Sequence, residues 1–160
     1  MLENTAKKYV NDKETDAVRG AYENRARWYY YLVREGLDKG LPLEFARDAM
    51  LEAGHFMYEQ DYQNVKTIEE FAEVFMNFGM VHAHEAQIVS QSEDSIEISL
   101  GYCPLVNAWS KLNAEEAFIG DLCSVCMETY SGLADSLGWS VEQTCAIGRG
   151  DGKCTLCFKK

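Results

Sequence analysis

The apolar residues of this 160-residue chain change their period partway along it, and that change limits the fold more than any bulk property does. From about Asp16 to Gly36 they recur every three or four positions, with Val18, Tyr22, Ala26, Tyr29 and Val33 on one stripe and Trp28 and Leu32 beside it. Such spacing is that of a long helix with one buried face. After Gly36, Gly40 and Pro42 the same period continues through Phe45, Ala49, Ala53, Phe56 and Met57, which predicts a second helix starting near Pro42 and packed on the first. Thr67-Ile68-Glu69-Glu70 has the form of a capping box, in which the Thr hydroxyl accepts from the third helical N–H while the Glu reaches back. A third helix is expected from there to about Phe78, with Gly79 as its stop.

Beyond Glu85 the period becomes two. Ile96, Ile98 and Leu100 alternate with Glu97 and Ser99 after the polar turn Ser92-Glu93-Asp94, so residues 85 to 101 read as an antiparallel hairpin. Pro104 suits the first position of a short helix reaching Leu112, and a longer helix follows from Asn113 to Gly138. Two closing strands are expected over Val141 to Gly148 and Lys153 to Lys159, joined by Arg149-Gly150-Asp151-Gly152. The resulting fold is α+β: N-terminal helices packed on a small antiparallel sheet, then a long late helix and a C-terminal β-hairpin. A chain of this length buries roughly 70% of the surface its unfolded form exposes, so residues 1–160 are expected to form one domain without disulfide staples. Residues 1–15 are expected to be flexible, and residues 85–160 to carry the ligand- or metal-binding half.

Charge narrows the partners. With 26 acidic against 15 basic residues the net charge is −11, a field that repels phosphate backbones and anionic headgroups, so neither nucleic acid nor a membrane is expected as a partner. The opening Met1 to Lys8 lacks the apolar stretch of a signal peptide, and no run approaches 18 apolar residues, which makes the cytoplasm the expected compartment. Reducing cytosol disfavours permanent disulfides. For the six cysteines, Cys103, Cys123, Cys126, Cys145, Cys154 and Cys157, that leaves metal ligation, a reactive thiol or plain burial.

Cys103 stands just before Pro104, at the cap of a helix, where unpaired N–H groups lower a thiol's pKa and make a nucleophile; a small buried hydrophobe is the competing reading. Cys123 and Cys126, three apart on a helix, share a face with Met127 and Tyr130. The Gly-rich turn is able to bring Cys145 and Cys154 together across two strands, and two such thiolates with one or two from a covering helix would make a tetrahedral zinc site with Zn–S distances near ~2.3 Å. A ribbon built from Cys123-x-x-Cys126 and Cys154-x-x-Cys157 is disfavoured, because residues three apart in a regular strand face opposite sides. His82-Ala83-His84 would align on one side of a strand, which is permissive for a metal, although a solvated or core role is the favoured reading. Arg25 and Arg27, next to Trp28 and Tyr29, are placed to clamp a carboxylate and stack a ring, or else form a charged face beside an aromatic stripe. Consecutive Trp28, Tyr29, Tyr30 and Tyr31 span most of a helix circumference, so a second subunit is expected over part of that surface, giving a homodimer.

The run Tyr102-Cys103-Pro104-Leu105-Val106-Asn107-Ala108-Trp109, the later Cys123, and the closing Gly150-Asp151-Gly152-Lys153-Cys154-Thr155-Leu156-Cys157-Phe158 resemble the family named after L-2-amino-thiazoline-4-carboxylic acid hydrolase. Asn24-Arg25-Ala26-Arg27-Trp28-Tyr29-Tyr30 and Phe45-Ala46-Arg47-Asp48-Ala49 are similar to its first helices, so the resemblance covers nearly the whole chain. The C-terminal half also resembles the 4-vinyl reductase type of small-molecule-binding domain, whose sensor members carry zinc. That likeness implies Cys123, Glu142, Cys145 and Cys154 as zinc ligands, with Glu142, three residues before Cys145, needing to lie at the strand's start. The founding hydrolase opens a cyclic amidine, so the resemblance implies a small cyclic amide or amidine substrate. Were all four ligands to hold the ion, zinc would be a staple and Cys103 the nucleophile; with Glu142 free, zinc-bound water would attack and Glu142 or His55 would serve as base. A zinc-stapled binding or sensory domain without turnover is the alternative.

Overall fold

The structure is a computed structural model and describes residues 2–160. Five helices and four strands follow the order anticipated from the periodicity: α1 (Lys13–Asp38), α2 (Glu44–Met57), α3 (Ile68–Phe75), β1 (Ala86–Gln91), β2 (Ser95–Leu100), α4 (Pro104–Lys111), α5 (Glu116–Leu137), β3 (Ser140–Cys145) and β4 (Cys154–Lys159). Local chemistry explains the boundaries. Asp12 caps α1 by accepting from the Thr15 amide at 2.8 Å. Thr67 and Glu70 form the reciprocal box that starts α3, and Pro104 occupies the first turn of α4, where a missing N–H costs nothing. Gly138, at φ 72°, takes the left-handed cap that ends α5.

Three expectations needed adjustment. The third helix stops at Phe75, and a separate π-helical turn, Gly79–Ala83, carries the chain into β1. The strand expected to reach Gly148 ends at Cys145, because the segment Ile147–Arg149 coils into a 3₁₀ turn. The main partner of α2 is α5. Its first turn does touch α1, where the Phe45 ring covers Gly36, but the rest lies along the late helix.

Two glycines permit that last contact. A Cβ on Gly54 would collide with the Thr129 carbonyl oxygen and stand 2.9 Å from the Gly132 Cα, and one on Gly132 would collide with the Leu51 carbonyl. Bare backbones therefore cross where no side chain fits. Arg47 adds an ion pair across the same contact, 3.0 Å to Glu128. On the other side of the molecule α1 lies against α4, joined by the Trp109 indole N–H donating to the Ala26 carbonyl at 2.9 Å and by Glu23 accepting from Asn107 and Lys111.

The sheet is antiparallel throughout, in the order β1-β2-β4-β3. Register sets Ile96 opposite Phe158, Ile98 opposite Leu156 and Leu100 opposite Cys154, so these six side chains share one face. That face is covered by helices: Phe71 lies 4.7 Å and Phe75 5.5 Å from Phe158, ring centre to ring centre, and Tyr130 of α5 closes the cluster at 6.2 Å.

Residues 2–12 form neither helix nor strand, yet they are hydrogen-bonded in place. Backbone amides of Lys7 and Lys8 donate to the Glu85 carboxylate at 2.9 and 2.8 Å. Arg19, buried with Glu85 and 3.1 Å from it, also donates to the carbonyls of Lys8, Tyr9, His82 and Ala83. The leader lacks an apolar period, which is why it read as loose; what orders it is a buried ion pair contributed by α1 and by the residue preceding β1.

The glycine crossing gives a direct check. Gly132→Ala is expected to lower stability by about 3 kcal/mol, because the added methyl meets backbone and cannot rotate away. Gly20→Ala, on the open face of α1 with nothing within 4 Å of the new Cβ, is expected to raise it by about 0.5–1 kcal/mol. Urea unfolding of the two variants beside the parent measures both, and coincident midpoints would refute the crossing.

Candidate functional site

The thiols divide by face of the sheet. Cys154 points to the helix-covered side, where the Ile147 amide donates to its sulfur at 3.3 Å. Cys123 of α5 meets the same turn one residue on, so close to Gly148 that a Cβ there would stand 3.1 Å from its sulfur. Cys103, the residue before α4, is near enough to both for their charges to act on it. Cys123 and Cys154 thus come together at the Ile147–Arg149 turn, with Cys103 within electrostatic range of both.

The implied zinc set does not. Cys145 stands opposite Thr155 and Glu142 opposite Cys157, on the face away from Cys154. A bulge at Thr144 is responsible: it returns Glu142 and Cys145 to a common side, but to the side that Cys123 cannot reach. Among the described residues no three His, Cys, Asp or Glu side chains are grouped to hold a metal ion. Cys123, Glu142, Cys145 and Cys154 as placed therefore do not fit a tetrahedral ion, and no step is routed through one.

Burial governs the thiols that do converge. It pushes Cys103 well above the ordinary thiol range, with Cys154 adding to the effect, while the amides of Val106 and Leu105 at the start of α4 pull the other way and lose. The helix-cap activation expected from Cys103-Pro104 is therefore outweighed, and the resting group is a neutral thiol. Burial likewise pushes Cys154 and Cys126 up to about 12 and raises Cys123.

Of the residues expected to meet a ligand, Arg25 lies beside an open groove, and Tyr29 does not line it. On α1, the Arg25 guanidinium lies 4.8 Å over the Tyr22 ring, beside a surface groove of about 470 Å³ walled by Ala17, Val18, Ala21 and these two side chains. Behind it stands His84, edge-on to Tyr22 at 4.9 Å, 7% exposed, and with its Nδ1 unpartnered. Burial first, then the charges of Arg25 and Arg19, hold His84 down at about 4, so it is neutral near pH 7 and offers a lone pair. The buried Tyr29 hydroxyl has the Cys126 sulfur beside it and no partner of hydrogen-bonding geometry. Burial first, then the nearby Tyr22, Tyr62, Cys103 and Cys126, raise the Tyr130 phenol above its ordinary range. Unpaired buried acceptors and donors of this kind are costly unless something binds them.

Other anticipated residues lie elsewhere. Arg27 bonds to Asn24 on the outer surface of α1 at 3.3 Å. Trp28, 69% exposed, lines a different open groove of about 710 Å³ with Tyr31, Leu32 and Glu35. His55 bonds to Ser136 at 2.9 Å; ten residues of helix separate Ser136 from Cys126, about 15 Å along α5, so His55 is no base for this cluster. His82 and His84 do not align on a strand, since the π-helical turn sends His82 between the rings of Tyr9 and Phe78 instead. Tyr22 had no sequence signal of function, because it reads as part of an aromatic stripe; His84 was flagged only as half of a metal-permissive pair, and Tyr130 only as a neighbour of Cys123 and Cys126.

Residues 20–158 match the family model described as L-2-amino-thiazoline-4-carboxylic acid hydrolase. No curated protein and no solved structure matches the chain. No helix among the described residues is long and apolar enough to cross a membrane.

His84 carries a pH signature. It titrates near 6.5 when unfolded and near 4 when folded, so between those values the unfolded chain binds the extra proton. Its contribution is complete above about pH 6.5 and is lost as pH falls toward 4, about 3 kcal/mol in all. His84→Phe is expected to flatten the stability curve over that window by the same amount in urea unfolding at a series of pH values, and parallel curves would contradict the assignment.

Proposed function

The chain belongs to the L-2-amino-thiazoline-4-carboxylic acid hydrolase family, and on that premise we propose that it hydrolyses a small cyclic amide or amidine bearing a carboxylate, with Cys103 as nucleophile. The observation that carries this reading is the adjacency of an exposed cation, Arg25, to buried polar groups without partners, the His84 Nδ1 and the Tyr29 hydroxyl. A carboxylate suits Arg25. A ring N–H suits the neutral His84, and a ring nitrogen suits Tyr29 as donor.

In the proposed reaction the Cys103 sulfur bonds to the carbon between the ring heteroatoms. Because burial keeps the thiol protonated, its proton leaves as the sulfur attacks, and the substrate's amidine nitrogen is the basic group that takes it. One ring bond to that carbon then breaks, its departing atom taking the proton now on the amidine nitrogen, and water cleaves the new S–C bond, its hydroxyl going to the carbon and its proton to the Cys103 sulfur. Arg25 and the unpaired groups orient the ring, which is worth more in the tight, dry interior than in water.

The high thiol pKa also favours a second reading, a small-molecule-binding domain that uses the same groove without turnover. A screen of cyclic amides and amidines separates the two. Under the first, Cys103→Ala abolishes turnover, a loss of at least about 10³-fold, and leaves binding in place. Arg25→Ala weakens binding of carboxylated compounds by roughly tenfold and spares their uncharged analogues. Activity surviving in Cys103→Ala excludes the covalent route; ligand binding with no turnover by the parent selects the second reading.

The homodimer is part of the proposal, supported by the exposure of Trp28, Tyr31 and Leu32 along one side of α1. Leu32→Glu is expected to halve the mass measured by sedimentation equilibrium at micromolar concentration, and a parent that is already monomeric there removes this element.

A further inference from the structure

Asn4 stands ninety-nine positions from Cys103 and grips its backbone from both sides. The Asn4 Nδ2 donates to the Cys103 carbonyl at 2.8 Å, and its Oδ1 accepts from the Cys103 amide at 2.9 Å. Cys103 precedes α4 at φ −130° and ψ 107°, with no side-chain cap of its own. Nothing in its immediate sequence fixes that conformation except Pro104, which restricts the preceding residue to extended backbone without choosing among extended states. The amide side chain makes the choice.

The rest of the leader is built to hold Asn4 there. Leu2 packs against the core, the Lys7 and Lys8 amides reach Glu85, and Tyr9 stacks on His82 with ring centres 4.0 Å apart. Tyr9 adopts a positive φ of 53°, which a bulky residue rarely keeps without tertiary contacts, whereas Asn11 at 60° is of a type that enters this region readily. Yet most side chains in this segment are exposed and it joins no helix or strand. Its attachment is a handful of hydrogen bonds, which places it among the first parts of the molecule to open. It also lies outside residues 20–158, the portion that matches the family.

We infer that residues 2–12 are a strap over the Cys103 segment and that Asn4 is a positioning residue which fixes the Cys103 backbone and limits access to its thiol. The inference rests on the proposed function for its meaning in turnover, whereas thiol access is read independently of any substrate.

The test is alkylation of the full chain by iodoacetamide, with the rate at each cysteine followed by peptide mass spectrometry. Asn4→Ala is expected to raise the Cys103 rate by on the order of tenfold or more, the effect of losing two hydrogen bonds, while Cys123 and Cys154 stay at their slow parental rates. Asn4→Asp keeps the acceptor for the Cys103 amide but turns a second oxygen on its carbonyl, and is expected to match or exceed Ala. Lys7→Ala, which removes an exposed side chain and leaves the backbone bond to Glu85, is expected to leave the Cys103 rate unchanged. A Cys103 rate in Asn4→Ala equal to the parent's overturns the strap. So does a parallel rise at Cys123 and Cys154, which would mean general loosening of the fold. Absence of turnover in a substrate screen bears on the proposed function and leaves the labelling result standing.

Discussion

The buried ion pair between Arg19 and Glu85 joins three parts of the chain that no shared helix or strand connects. Its two side chains, 3.1 Å apart and almost fully enclosed, would be a poor source of stability if they met only each other, since desolvation offsets most of the Coulombic gain. Here each has further partners. Arg19 takes up carbonyls from the leader and from the end of the π-helical turn, and Glu85 takes up leader amides. A network satisfied to this degree fixes geometry as well as charge. The leader, the start of β1 and the first turns of α1 are brought to one point, and Asn4 and His84 take their positions from it.

The polar groups of the candidate site, Tyr29, Tyr130 and the thiols of Cys103, Cys123 and Cys154, lie in a largely apolar interior. The electrostatic character is the reverse of what the cap position of Cys103 implies in isolation. Helix-terminal N–H groups favour a thiolate, but their influence falls off within a turn and amounts to a fraction of the cost of burying a charge. Burial wins, and the cluster rests uncharged.

The sheet shows how a single extra residue redirects a ligand set. With regular pairing, Glu142 and Cys145 would face opposite sides; the bulge at Thr144 aligns them, and in doing so commits both to the face away from Cys123 and Cys154. Resemblance carries residue types and spacings from one chain to another. It does not carry the register of a strand.

The sequence by itself determined the elements and their order, because hydrophobic period, capping residues and Pro104 are local properties that act over three or four positions. The α+β division, the box at Thr67–Glu70, the hairpins and the Gly138 stop were all legible in this way. Only the tertiary structure decided that α2 lies chiefly on α5 through Gly54 and Gly132, that His84 is an unpaired buried acceptor while His55 is remote, and that Asn4 holds Cys103. Each of these depends on groups 62 to 99 positions apart. Contacts over such separations are set by how whole helices and strands pack, and by where burial removes water, which no local pattern encodes.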